Sequence, residues 1–79
     1  MNPREILIKF RWSDGLKLRD LMICYIHRGA PGDLKWIGGG DIASLGRSFF
    51  DCGETKIPYH RIVEIRVEGK TIFVRRSSG

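Results

Sequence analysis

The sequence predicts an α+β domain, an N-terminal helix packed on a small, mainly antiparallel β-sheet with a C-terminal β-hairpin. Three stretches carry that prediction. "NPREILIKF" opens with a capping residue, a proline and a helical stripe of apolar residues. "LMICYI" is apolar at every position but still short, which suits a strand buried on both faces. "RIVEIRVEGKTIFVRR" alternates apolar and polar residues around Glu68-Gly69, a tight-turn pair.

The elements follow in order. Asn2 caps a helix over Pro3 to Trp12, with Glu5 three residues beyond the cap and Met1 placed to staple against Ile6. Ile6, Leu7 and Phe10 form its buried stripe, and Ser13-Asp14-Gly15 ends it. Leu21 to Arg28 forms a central strand, and "GAPGD" turns the chain into a short strand over Leu34 to Ile37. Gly38-Gly39-Gly40 breaks that strand. "DIASLG" reads either as one helical turn capped by Asp41 or as an irregular segment, and Phe49-Phe50 is too short to assign. In the hairpin Val63, Ile65 and Val67 share the buried face with Ile72 and Val74. Residues 1–76 make one domain, and 77–79 form a frayed tail.

Size and charge narrow the function. With 79 residues the chain supports one core and leaves little room for a deep cleft. Net charge is +5, with seven basic and four acidic groups in residues 1–40 and seven and five in 41–79. Any positive patch is therefore assembled by folding, and it favours an anionic partner such as nucleic acid. The longest apolar run, Leu21 to Ile26, is far too short to span a bilayer, and the start lacks an apolar signal region. A cytoplasmic protein without membrane association is expected. Cys24, Cys52, His27 and His60 match the ligand count of a structural zinc site. On a strand, however, Cys24 and His27 face opposite sides, so no metal or other cofactor is expected.

The sharpest local feature is a repeated dipeptide, His27-Arg28 and His60-Arg61, each closely preceded by a tyrosine. The guanidinium fork of arginine matches two phosphate oxygens, and histidine adds a directional donor. One pair closes a strand and the other opens one. If the two strands are antiparallel neighbours, the pairs meet at one sheet edge. An isolated pair is more simply a solvated arginine beside a locally satisfied histidine. Gly29-Ala30-Pro31-Gly32 has the outline of the loop that clamps RNA backbone in KH domains, but it lacks the flanking helices. Most of the aromatics are needed for the core, and Trp36 and Tyr59 are the best candidates for stacking an unpaired base. Two histidines can also act as acid and base on a phosphodiester. No H-x-[ST] pair, carboxylate cluster or recognisable nucleophile accompanies them, so a binding module is favoured over an enzyme.

Four blocks, "NPREILIKFRW", "YIHRGAPGD", "IASLGRSFF" and "IPYHRIVEI", occur in that order and resemble a small, mostly archaeal protein family. Its domain is named the RNA cyclic-group end recognition domain. The resemblance covers nearly the whole chain and implies recognition of RNA ends that carry a 2′,3′-cyclic or terminal phosphate, beside RNA-processing proteins. Carried over residue by residue, it implies Arg28, His60 and Arg61 as phosphate contacts. The family often has an acid where His27 stands. It also tends to end in Trp-Asp-Arg, of which only Arg75 survives in Phe73-Val74-Arg75. The expected site is therefore Arg28, Arg61, His60 and Arg75, with His27 as a further candidate and Tyr59 or Trp36 stacking the terminal base. The alternatives are a small phosphodiesterase or ribonuclease using His27 and His60, and a protein-interaction module of an RNA-processing complex.

Overall fold

A computed structural model describes residues 2–75. The staple expected at Met1 and the tail expected over 77–79 lie outside the described residues. The chain opens with helix α1 (Pro3–Arg11). Its start is set locally, because the Asn2 side chain accepts from the Glu5 amide at 2.9 Å and Pro3 needs no amide partner in the first turn. Ile6 and Leu7 are buried, and Phe10 packs beside them.

Seven strands follow: β1 (Leu21–Ile26), β2 (Leu34–Gly38), β3 (Ile42–Leu45), β4 (Phe49–Cys52), β5 (Thr55–Pro58), β6 (Ile62–Val67) and β7 (Lys70–Val74). They form two antiparallel sheets where one was expected. The four-stranded sheet has the order β2-β1-β6-β7, and the three-stranded sheet β3-β4-β5. The core lies between them and α1. Leu21, Ile23 and Tyr25 of β1 meet Ile62, Ile65 and Val67 of β6, with Phe50 and Ile57 from the smaller sheet and Leu7 from the helix. Burying side chains of this size contributes about 1.5–3 kcal/mol each.

Several expectations are corrected by this arrangement. "DIASLG" is neither a helical turn nor irregular: Asp41 closes a 3₁₀ turn over Gly39–Asp41, and Ile42–Leu45 is strand β3. β1 ends at Ile26, and His27 and Arg28 belong to the turn that follows. Val63 is only partly buried and Ile62 takes its place in the core, because the β1–β6 register shifts between Cys24 and Tyr25. A second shift, between Ile65 and Arg66, pairs Ile65 with Phe73. Phe73 thus packs on the core while Ile72 and Val74 are exposed. Each bulge inserts one residue and reverses the alternation beyond it.

Two backbone approaches hold the frame. Glu68 and Gly69, between β6 and β7, both have positive φ (51° and 82°), as a two-residue connection of matching twist requires. At Gly39 a β-carbon would lie 1.9 Å from the carbonyl oxygen of Leu18, so no side chain fits where the 3₁₀ turns Leu18–Asp20 and Gly39–Asp41 meet.

Candidate nucleic-acid interface

The two His-Arg dipeptides sit at ends of paired strands. Tyr25 pairs with Ile62, so the end of β1 lies beside the start of β6 and both dipeptides fall at the same end of the sheet. They do not face one cavity. His27 follows β1, with its ring edge-on to Tyr25 at 6.0 Å and its amide donating to the Asp33 carbonyl at 2.9 Å. Arg28 is exposed in the same turn. His60 and Arg61 lie on a 3₁₀ turn (Tyr59–Arg61) ahead of β6, and both are exposed.

A hollow of about 360 Å³ opens beside that turn, and of the two dipeptides only His60 lines it. Arg75 joins it there, as do Arg4, Arg47, Ser48, Tyr59, Asn2 and Pro3. Three arginines and a histidine thus surround one space, with no carboxylate among the described lining residues. The one ion pair among the described residues joins Arg66 to Glu64 on another face, so Arg4, Arg47 and Arg75 have no carboxylate partner there. Arg75 is held by its own backbone, its amide donating to Val63 O at 2.7 Å, and its guanidinium donates to the carbonyl of His60. The rest of that guanidinium can still meet an anion, because an arginine carries five N–H donors.

The hollow also takes in the start of α1. Pro3 has no amide hydrogen, Asn2 occupies the Glu5 amide through its side chain, and the Asn2 carbonyl takes the Ile6 amide at 3.2 Å. The Arg4 amide is left without a partner among the described residues. Asn2, Pro3 and Arg4 line the hollow, so the positive end of the helix dipole adjoins the same space as the arginines.

Tyr59 fixes the wall that carries Arg47. Its hydroxyl donates to the Gly46 carbonyl at 2.8 Å, and its amide donates to Ser48 O at 3.2 Å. Arg4 Nε reaches the same Gly46 carbonyl at 3.4 Å. Gly46 closes the β3–β4 turn through its amide to Phe49 O at 3.0 Å, and a β-carbon on it would stand 2.7 Å from that oxygen. The Tyr59 ring is 7% exposed and lies 5.5 Å from the Phe50 ring. Tyr59, expected to stack a base, thus has its ring packed in the core, lines the hollow and holds a turn through its hydroxyl. Burial pushes that hydroxyl's pKa up, with the Arg4 charge opposing and Asp51 adding a little.

Trp36 stands apart from the hollow, on the open face of the four-stranded sheet. The Arg66 guanidinium lies over its ring at 4.8 Å. Glu64 accepts from Arg66 Nε at 2.5 Å and from the Thr71 hydroxyl at 2.9 Å. Those two bonds, that from Arg66 first, hold the Glu64 carboxyl below the usual carboxylate range. The thiols of Cys24 and Cys52 are both pushed up, mainly by burial, which disfavours a nucleophilic thiolate. Among the described residues no group of three or more His, Cys, Asp and Glu could hold a metal ion. No helix among them is long and apolar enough to cross a membrane.

Of the residues expected at the site, Tyr59, His60 and Arg75 line the hollow, while Arg4 and Arg47 line it without having been expected. A signal existed for Arg4: a cation in the first turn of a helix opposes the dipole, and a bound anion would relieve the conflict. Arg47 follows a glycine in a tight turn and could be brought to the hollow only by knowing where Tyr59 reaches.

Residues 1–75 match the family model described as the MJ1316 RNA cyclic group end recognition domain. The chain belongs to that family. A UPF0248 protein of Pyrococcus furiosus is 34% identical over 77 residues, covering 96% of this chain and 90% of its own length. A UPF0248 protein of Thermococcus onnurineus is 38% identical over 74 residues, 92% of this chain and 84% of that one. One from Methanococcus vannielii is 38% identical over 63 residues, 80% and 76%. No solved structure matches the chain.

Proposed function

We propose that the chain is an RNA-binding module that holds a phosphorylated or cyclic-phosphate RNA end in the hollow beside His60. The observation that carries this reading is the lining itself: Arg4, Arg47, Arg75 and His60 converge without a carboxylate among the described residues. Cations left unneutralised around one space are an anion site. The family's name, which speaks of RNA cyclic group ends, supplies the kind of anion. Arg47 and Arg75 would take the nonbridging oxygens, the Arg4 amide a third, and His60 an end hydroxyl or phosphate oxygen. Arg28 and Arg61, at the same end of the sheet but outside the hollow, would add field and contact the phosphates that follow.

Charge alone makes a further statement. A linear terminal phosphate carries close to two charges at neutral pH, whereas a cyclic phosphodiester carries one. A purely electrostatic site therefore prefers the linear end, and preference for the cyclic end requires shape or a directed hydrogen bond. Fluorescence anisotropy on one short RNA ending in cyclic phosphate, linear 3′-phosphate or hydroxyl tests the reading. Both phosphate ends are expected to bind at least tenfold more tightly than the hydroxyl, each charge-assisted bond contributing roughly 1.5–3 kcal/mol. Equal binding of all three would overturn end recognition. The acid–base alternative finds no support in the geometry, because His27 does not line the hollow with His60.

A further inference from the structure

Trp12 is 76% exposed, and packing gives no reason for a tryptophan there. It caps the C-terminal end of α1, and the Arg11 guanidinium lies 5.9 Å from its ring centroid. Together with Ile8, Ser44 and Leu45 these two residues line a second depression of about 340 Å³, between the helix and β3. Arg4, Ile8 and Arg11 are spaced i, i+4, i+7, which places them on one face of the helix. That face runs along β3 and the β3–β4 turn, since Arg4 reaches Gly46 and Ile8 lines one depression with Ser44 and Leu45. The hollow, lined by Arg4, and the second depression, lined by Ile8 and Arg11, thus lie along one helix face and together outline a channel. At a rise of 1.5 Å per residue, its arginines stand roughly 10 Å apart along the helix.

We infer that this channel carries the nucleotides that precede the bound RNA end, and that one of their bases stacks on Trp12. The inference rests on the end-binding reading above. A single strand needs cations at intervals for its phosphates and an aromatic face for its bases, and the channel offers Arg4, Arg11 and Trp12 in that order. Its floor, Ile8 and Leu45, is apolar, as suits the face of a base. The described lining residues of both depressions include no acid, and the Ser44 hydroxyl donates to Asp51 at 2.6 Å. Any aromatic ring accepts any base face, so the channel reads length and strandedness and leaves sequence unread.

RNAs of two and eight nucleotides bearing the same 3′-phosphate separate the channel from the hollow. The eight-nucleotide RNA is expected to bind the wild type more tightly. Trp12→Ala is expected to weaken it roughly 5- to 100-fold, the range of one base–aromatic stack, and to leave the dinucleotide unchanged. Arg11→Ala is expected to lower the salt dependence of the longer RNA by about 0.7 in log–log slope, with the shorter one unaffected. Trp12 is exposed enough that its replacement should leave the thermal unfolding curve in place, which circular dichroism checks. Length-independent affinity in the wild type would overturn the channel, as would Trp12→Ala weakening both RNAs equally. The first result would return the groove to a protein partner or to solvent. If hydroxyl-ended RNAs bind as well as phosphate-ended ones, end recognition fails on its own, and the length effect and its loss in Trp12→Ala remain readable.

Discussion

The open face of the four-stranded sheet and the hollow beside α1 both set arginine near an aromatic ring, yet they differ in what neutralises the charge. On the sheet face Arg66 lies over Trp36 and is paired with Glu64, which Thr71 also holds. In the hollow Arg4, Arg47 and Arg75 converge with His60 and have no carboxylate within ion-pair distance among the described residues. The first cluster closes on itself. The second is left open, and under the proposed reading an anion from outside closes it. Partnerless cations that converge, rather than arginine or aromatic content, separate a binding site from a surface that is merely decorated. The hollow is also tied to the core through Tyr59, whereas Val74 on the sheet face is 59% exposed.

That difference can be broken at several depths, and the largest effect lies beneath it. Phe50 is fully buried against Tyr59, so Phe50→Ala should cost about 3–5 kcal/mol. Val74→Ala on the open face should stay within about 0.5 kcal/mol. Urea unfolding of the two variants checks this, and comparable losses would mean that the sheet face bears more of the fold than its exposure implies.

Charge removal comes next. Arg47→Ala and Arg75→Ala should each weaken binding of a phosphate-ended RNA roughly tenfold or more, and each should flatten the salt dependence by about 0.7 in slope. Arg66→Ala should change binding less than about twofold, because its charge is already neutralised. A titration in which Arg66→Ala hurts as much as Arg75→Ala would move the site to the sheet face.

Tyr59→Phe is subtler. It removes only the bond to Gly46, worth about 0.5–1.5 kcal/mol, so Tm should fall by about 4–8 °C per kcal/mol in a domain of this size. RNA binding should weaken too, although Tyr59 need touch no ligand, because Arg47 loses its anchor. Lower Tm with unchanged affinity would show that the turn holds its place without the hydroxyl.

The smallest effect is a pH dependence of stability on the sheet face. The folded Glu64 carboxyl ionises below its ordinary value, so the folded state binds fewer protons than the unfolded chain through the acidic range. Its contribution is fully present above the ordinary carboxylate pKa and is lost as pH falls through the lowered folded value. Glu64→Gln should therefore narrow the gap in Tm between neutral and acidic pH slightly. A gap of the same size in both proteins would mean that the pair with Arg66 adds nothing.

The parts of the fold that were legible are those whose causes are local. The start of α1 is written in Asn2, Pro3 and Glu5, and β1 in an apolar run that no surface strand would carry. Bulges were not legible, because a single inserted residue leaves the composition unchanged and reverses the phase beyond it. That is how Phe73 displaced Ile72 and Val74 from the core, and Ile62 displaced Val63. The second sheet escaped for a different reason: β3, β4 and β5 are each four residues long, too short for alternation to stand out. At the site, the dipeptide repeat led to His60, and the resemblance to Arg75. Arg4 and Arg47 became visible only when the Tyr59–Gly46 bond brought a distant turn to the helix start.

Asn2 and Arg75 both line the hollow, so the two ends of the described chain flank the site. On the proposed reading, whatever is joined at either end would be tethered next to the RNA end. An enzyme fused there would meet a captured RNA end at an effective concentration set by its linker, in the millimolar range for a short flexible one. The same placement means that an affinity tag at either end is a potential competitor, and that dissociation constants should be compared before and after its removal.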